Sequence, residues 1–152
     1  MADRIRGRIF LVGCPRSGTT LLQSLLASHT EVASFPETHL LVATGRTRRG
    51  RILTKLSLVS PEMRRQFECF LDKTGNSRMI NELPGRPFFI RQYVTAAINT
   101  LDAIALENNS SYWIEKTPGH LHYIPIIERH VPGAKFVHLL RNGEDVVRSL
   151  YA

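Results

Sequence analysis

The stretch RIFLVGCPRSGTTLL, residues 8–22, decides the fold of this chain of 152 residues. It opens with a short apolar run, Arg8 to Gly13, which is typical of a strand buried on both faces of a parallel sheet. A glycine-containing loop follows, and the leucines at positions 21, 22, 25 and 26 then favour a helix with one apolar face. The order strand, loop, helix predicts a domain that begins with a βα unit.

The rest of the chain continues this alternation of strands and helices. Short apolar runs predict three further strands, Val32–Phe35, Ser111–Ile114 and Lys135–Leu140. Helical patterns lie between them: one capped by Ser60, a longer one from about Pro87, and a proline-interrupted stretch from His120 to His130. The expected fold class is therefore α/β, with a parallel sheet flanked by helices and joined by right-handed crossovers.

Composition bounds the class of protein. With 43% hydrophobic and 22% charged residues, the chain is an ordinary globular one, and its length suits a single domain, 1–152, with 42–110 as a helical insert. Intrinsic disorder is excluded, and no apolar run approaches the roughly 20 residues of a membrane helix. Two cysteines are too few for a disulfide framework, which predicts a cytoplasmic protein. A helix capped by Asn142 is still open at Ala152, so we expect a domain truncated at its C-terminus.

The net charge of +7 is concentrated at the front of the chain. Residues 1–60 hold nine Lys and Arg against three Asp and Glu. Such a distribution favours an anionic partner, which could be a nucleotide, an acidic substrate or nucleic acid. The basic run from Arg46 to Lys55 is either a solvated loop or a clamp for acidic peptides or glycans.

The loop from Gly13 to Thr20 has the spacing of a phosphate-binding loop. Glycines at its first and sixth positions let successive backbone N–H groups, and the positive end of the following helix, face an anion. An ATP-hydrolysing loop would carry a lysine after the second glycine, where this chain has Thr19. Arg16, inside the loop, supplies a cation instead.

Four charged side chains, Arg16, Glu37, Lys116 and Arg141, each follow a different predicted strand. Because ligands of an open α/β sheet bind at the carboxyl ends of its strands, we expect these side chains to converge. Taken singly, Glu37 fits the N-terminus of a helix and Lys116 fits a solvated surface. Together, three cations and one carboxylate suit the transfer of a highly anionic group, with the carboxylate taking a proton from the acceptor.

These residues resemble those of the sulfotransferases that use 3′-phosphoadenosine 5′-phosphosulfate (PAPS), in two blocks, Ile9–Leu41 and Trp113–Ala152. The resemblance implies that the region between them, 42–110, holds much of the acceptor site. The resemblance assigns the loop residues to the 5′-phosphosulfate, and they are Arg16, Ser17, Gly18, Thr19 and Thr20. Arg141 and Ser149 match the arginine and serine that hold the 3′-phosphate of the nucleotide.

The segment Phe35–Thr38 is similar to the one that carries the catalytic glutamate in the tyrosylprotein branch of that family. The resemblance therefore implies that Glu37 is the base, and that Lys116 and Arg16 stabilise the transferring sulfuryl group. In the cytosolic branch a Lys-Thr-His motif supplies a histidine base, but here Pro118 takes the place of that histidine. The implied reaction is an in-line transfer from PAPS to a hydroxyl or amine of a sugar, lipid, peptide tyrosine or small molecule, without a metal and with 3′-phosphoadenosine 5′-phosphate (PAP) leaving.

Other interpretations stay open. A P-loop kinase of small molecules is disfavoured by Thr19 and by the lack of an obvious magnesium-binding aspartate after a strand. A basic, non-enzymatic module that binds nucleotides or nucleic acid is disfavoured because no aromatic residues interleave with the basic run. His120 or His122 could serve as the base in place of Glu37. A homodimer stays open as the oligomeric state, while Trp113 is expected in the core.

Overall fold

The computed structural model describes residues 4–42, 52–53, 56–83 and 89–151. In this part of the chain four strands form one parallel sheet in the order β2-β3-β1-β4. The strands are β1 (Gly7–Gly13), β2 (Val32–Phe35), β3 (Tyr112–Lys116) and β4 (Ala134–Leu139). The predicted α/β class and all four predicted strands are confirmed, with ends that shift by one or two residues.

The register of the sheet brings the segments that carry the predicted site residues to one edge. Central strand β1 pairs Leu11 with Lys116 of β3 and Gly13 with Leu139 of β4. The pairing of β2 with β3 ends with Phe35 opposite Glu115. Because the strands are parallel, the loop after β1 and the segments after β2, β3 and β4 all leave the sheet at this edge.

Helices connect the strands as the sequence predicts. They are α1 (Thr19–Leu26), α2 (Pro61–Lys73), α3 (Ile90–Glu107), α4 (Ile124–His130) and α5 (Gly143–Tyr151). Ser60 caps α2 by accepting a hydrogen bond from the Met63 backbone N–H at 3.3 Å, and Asn142 caps α5 by accepting one from the Glu144 N–H at 3.0 Å. None of the described helices is long and apolar enough to cross a membrane.

The predicted proline-interrupted helical stretch is confirmed. The stretch from His120 to His130 is two elements, a 3₁₀ turn over Pro118–Tyr123 and then α4. Pro125 lies in the first turn of α4, where its missing N–H is tolerated. The proline therefore starts a new helix rather than continuing the preceding turn.

The aromatic core confirms the expectation for Trp113, whose side chain is fully buried. Its ring meets Phe10 and Phe35 edge to face, at centroid distances of 5.3 and 6.0 Å. The indole N–H donates to Asp102 Oδ1 at 2.7 Å, and Asp102 in turn pairs with Arg8 at 2.6 Å. The polar end of the tryptophan is thus satisfied by α3, which fixes that helix against the sheet.

The helix predicted after the loop is confirmed as α1, but its leucines do not pack on the core of the described residues. Leu21 and Leu25 are 67% and 62% exposed, whereas Thr19 and Gln23 are the buried side chains of the helix. The Gln23 amide donates to the Phe35 carbonyl oxygen at 2.7 Å. This polar anchor to the end of β2 rotates α1 so that its leucines face outward.

The structure describes only part of the predicted helical insert, 42–110. The basic run from Arg46 to Lys55 lies outside the described residues, apart from positions 52 and 53. Between 56 and 110 the described residues contain α2 and α3. A role for this region in binding an acceptor stays a prediction.

Candidate functional site

The loop after β1 is shaped by two close approaches of the backbone. A Cβ atom on Gly13 would lie 2.7 Å from the Leu139 carbonyl oxygen. Gly18, at the N-terminus of α1, has φ +93°, a conformation that glycine adopts without steric cost. The Ser17 hydroxyl donates to the Cys14 carbonyl oxygen and closes the loop on itself. Both glycines of the predicted phosphate-binding spacing therefore have a structural reason.

A cavity of about 310 Å³ opens beside this loop. Six of the seven predicted nucleotide-binding residues line it: Arg16, Gly18, Thr19, Thr20, Arg141 and Ser149. The seventh, Ser17, is buried and bonded inside the loop rather than lining the cavity. Two arginines, three hydroxyls and the start of α1 surround the space, and no described carboxylate lines it, which makes it suited to a phosphate or sulfate group. We refer to it below as the anion pocket.

The anion pocket joins the two ends of the chain. The Arg16 Nε and Nη2 atoms donate to the Ser149 carbonyl oxygen at 3.0 and 2.7 Å. Arg141 donates to the Arg16 carbonyl oxygen at 3.2 Å. These contacts tie the loop to the end of β4 and to α5, so residues more than 120 positions apart form one wall.

A lysine and a carboxylate lie beside the anion pocket. The Lys116 ammonium is 2.8 Å from Glu37 Oε1 and 3.5 Å from Thr20 Oγ1, so it stands between the pocket and the carboxylate. Lys116 was expected just after β3 and is in fact its last residue. Its side chain is 12% exposed, while that of Glu37 is 37% exposed and open to an incoming acceptor.

A histidine that the sequence analysis did not single out contacts the same carboxylate. His39 Nε2 lies 3.4 Å from Glu37 Oε2, and both side chains are partly exposed. His39 has φ +50°, a left-handed conformation that is uncommon for histidine. The available signal was its position two residues after Glu37, close enough along the chain to contact it.

Below this pair lies a buried carboxylate, Glu115, which is 1% exposed. Its Oε1 accepts hydrogen bonds from the Thr38 N–H at 3.1 Å, from the Thr38 hydroxyl at 2.9 Å and from the Thr117 hydroxyl. Its Oε2 lies 3.0 Å from His120 Nδ1. Burial raises the pKa of Glu115, but His120 and these hydrogen bonds outweigh burial and hold the pKa below its ordinary value.

The burial of His120 bears on the alternative that this histidine, rather than Glu37, serves as the base. His120 is fully buried, with its ring 6.2 Å from that of Phe10, so it cannot reach an acceptor as a catalytic base. Its Nδ1 must carry a proton in order to donate to the ionised Glu115. Among the described residues, the Nε2 atom of His120 is the one buried side-chain nitrogen or oxygen without a hydrogen-bond partner. His122, on the same turn, is exposed.

Cavities larger than the anion pocket lie in another part of the structure. Two larger, overlapping cavities of about 590 and 770 Å³ lie between α3 and the end of α4, and Arg91, Arg129 and His130 line both. They contain neither Glu37 nor Lys116. Within the described residues no group of three or more His, Cys, Asp or Glu side chains is placed to hold a metal ion. The combination of anion pocket, shared lysine and accessible carboxylate is therefore the candidate site.

Comparisons with known proteins match most of the chain to one family. A model of the sulfotransferase family matches residues 8–152. The chain is 30% identical over 159 residues to an "Uncharacterized protein" of Aquifex aeolicus (strain VF5), covering 99% of this chain and 18% of that protein. It is 26% identical to protein-tyrosine sulfotransferase 1 of Danio rerio, covering 93% and 34%, and 27% identical to protein-tyrosine sulfotransferase 2 of Gallus gallus, covering 93% and 33%. The chain thus spans about a third of these relatives or less.

Proposed function

This chain belongs to the sulfotransferase family, and we propose that it transfers a sulfuryl group from PAPS to a hydroxyl or amine of an acceptor. One observation carries the proposal. The Lys116 ammonium stands between Thr20 of the anion pocket and Glu37, at 3.5 and 2.8 Å. A cation shared between an anion pocket and an accessible carboxylate suits a reaction in which an anionic group moves to an acceptor that loses a proton.

The anion pocket fits the phosphate groups of the nucleotide. Thr19, Thr20 and the N-terminal N–H groups of α1 would hold the 5′-phosphosulfate, with Arg16 beside them. By family resemblance, Arg141 and Ser149 would hold the 3′-phosphate. Bound PAPS supplies an activated sulfuryl group on a phosphate that is a good leaving group. The chain contributes fixed positive charge around these groups, with no carboxylate among the described lining residues to repel them.

Glu37 is the proposed base. Its Oε1 is paired with Lys116, and its partly exposed carboxylate is open to an acceptor. As the ammonium of Lys116 turns toward the anion, Oε1 loses a hydrogen-bond partner and becomes free to accept the proton of the acceptor hydroxyl. His39, at 3.4 Å from Oε2, is placed to take that proton onward to solvent.

The names of two relatives, both protein-tyrosine sulfotransferases, favour a tyrosine hydroxyl as the acceptor of this chain. The exposed position of Glu37 is compatible with an acceptor presented on a peptide. A sugar, a lipid and a small phenol are the alternatives, which a panel of acceptors with labelled PAPS would separate. A cytoplasmic location and a homodimer stay predictions.

Calorimetric titration with PAP, and with ADP plus magnesium, tests the nucleotide class. We expect micromolar binding of PAP without metal, and loss of that binding in Arg16→Ala but not in Arg129→Ala, an exposed arginine outside the anion pocket. Binding of ADP only with magnesium would favour the kinase instead. Steeply salt-dependent binding of a polynucleotide would favour the non-enzymatic module.

A further inference from the structure

The segment that carries Glu37 lies outside the regular structure. Strand β2 ends at Phe35, and residues 36–39 belong to no strand or helix. Three consecutive backbone N–H groups, those of Thr38, His39 and Leu40, donate instead to side chains. Their acceptors are Glu115 Oε1 at 3.1 Å, Thr117 Oγ1 at 3.4 Å and Thr38 Oγ1 at 3.3 Å. The segment that carries Glu37 is therefore held by hydrogen bonds to side chains rather than by main-chain hydrogen bonds to a neighbouring strand.

Glu115 is the centre of this arrangement. Its carboxylate connects Thr38 after β2, Thr117 after β3 and His120 of the 3₁₀ turn. Thr38, Thr117 and His120 are each exposed by 1% or less. Because successive side chains of a strand point to opposite faces, Glu115 faces the interior while its neighbour Lys116 faces the site.

We propose that Glu115 is a positioning residue, whose buried carboxylate holds Glu37 and Lys116 at transfer distance without contacting substrate. The inference rests on the proposed function for what this pair does, and it adds how the pair is held. Each member of the pair is covalently adjacent to a residue that Glu115 binds, Thr38 in one case and Thr117 in the other.

A carboxylate suits this role better than apolar packing would. An ionised oxygen accepts several directional hydrogen bonds at once, and a buried one is costly to leave unpaired, so the network forms completely or is lost. His120 reinforces this hydrogen-bond network. Its described polar contact is the one between its Nδ1 atom and Glu115, and its ring otherwise lies near that of Phe10. The spacing of Glu37 and Lys116 is thereby set by a rigid interior group.

The test removes the hydroxyl links and keeps the charge of Glu115. In a Thr38→Val/Thr117→Val variant we expect kcat with PAPS to fall about tenfold or more, because small displacements of reacting groups are costly. The KM for PAPS and the affinity for PAP should stay within about twofold, since neither threonine lines the anion pocket. Thr38→Ser/Thr117→Ser, which retains both hydroxyls, should restore kcat.

Thr100→Val is the matched control, since Thr100 is also a buried threonine whose hydroxyl donates to a neighbouring group, the Ala96 carbonyl oxygen of α3. All variants are compared well below their melting temperatures, where circular dichroism shows them folded. A kcat of the double valine variant equal to that of Thr100→Val would overturn the proposal.

A second readout does not depend on turnover. The chain has four lysines, so the ammonium of Lys116 can be assigned in a proton–nitrogen correlation spectrum by comparison with Lys116→Arg. We expect a resolved signal in the native protein and in Thr100→Val, and its loss by solvent exchange in Glu37→Gln and in the double valine variant. A signal retained in the double valine variant, or absent from the native protein, would refute the positioning role. Absence of sulfuryl transfer with these signals as expected would instead refute the proposed function alone.

Discussion

The Nζ atom of Lys116 lies 2.8 Å from Oε1 of Glu37, although 79 positions of sequence separate the two residues. The contact exists because β2 and β3 are parallel neighbours whose pairing ends with Phe35 opposite Glu115. Two residues beyond that pair, the chain after β2 passes the end of β3. The same ammonium also reaches toward Thr20, which links this pair to the anion pocket.

Glu37→Gln should abolish most turnover while leaving nucleotide binding intact. A general base is typically worth about 10²–10⁴-fold in rate, and Glu37 does not line the anion pocket. Steady-state assays with labelled PAPS and titration with PAP give the two quantities. Glu128→Gln makes the same chemical change at an exposed site on α4 and should change neither. Turnover retained in Glu37→Gln would place the base elsewhere.

Arg141→Ala should weaken the binding of PAP by more than about 1 kcal/mol, the usual loss for a hydrogen bond to a charged group. Binding of 5′-AMP, which lacks the 3′-phosphate, should change much less. Arg148→Ala, on an exposed position of α5, provides the control. Equal losses for both nucleotides would contradict a specific role for Arg141 at the 3′-phosphate.

Arg16→Ala should have a second effect beyond lost affinity. The guanidinium holds the Ser149 carbonyl oxygen with two hydrogen bonds, so its removal should loosen the last turns of α5. Hydrogen exchange of the amides from 147 to 151 should accelerate, while those of β1 stay protected. Unchanged exchange in α5 would show that the arginine does not hold this helix in solution.

His39→Ala should lower turnover several-fold, about the effect of a proton-transfer partner with an alternative route through water. The site is partly open, so added imidazole should restore part of the lost rate. His29→Ala, which removes an exposed histidine outside the site, should neither lower turnover nor respond to added imidazole. The proton route through His39 would be untenable if imidazole gave no rescue while the rate had fallen.

The stability of the protein should depend on the ionisation of Glu115. Its pKa in the folded state is lowered from the ordinary value of 4.5, so the ionised form stabilises the fold above that value. This contribution should be lost as pH falls through the lower, folded-state pKa. Urea unfolding of the native protein and of Glu115→Gln, between about pH 3 and pH 7, should show a stability difference that shrinks at the acid end. A difference independent of pH would mean that folding leaves the pKa of Glu115 unshifted, and a difference that grows at the acid end would mean that the buried group is protonated.

Local patterns in the sequence were enough to predict the strands, most helices and the residues of the anion pocket. An apolar run such as Phe10 to Val12, or a loop such as Gly13 to Thr20, carries its signal within a few residues. The motif positions Arg141 and Ser149 could also be predicted, because the family resemblance includes them. The strands and the loop are thus encoded by neighbours in the chain, whereas Arg141 and Ser149 were assigned by the resemblance.

Tertiary structure alone decided how these elements face one another. The leucines of α1 look like a core face by period, yet the Gln23 amide bound to the Phe35 carbonyl turns them outward. The bond from Thr38 to Glu115 joins residues 77 positions apart, and no local pattern marks either as a partner. Which side chains meet at the edge of the sheet depends on the pairing of β2 with β3, and that register is a property of the folded chain rather than of any one segment.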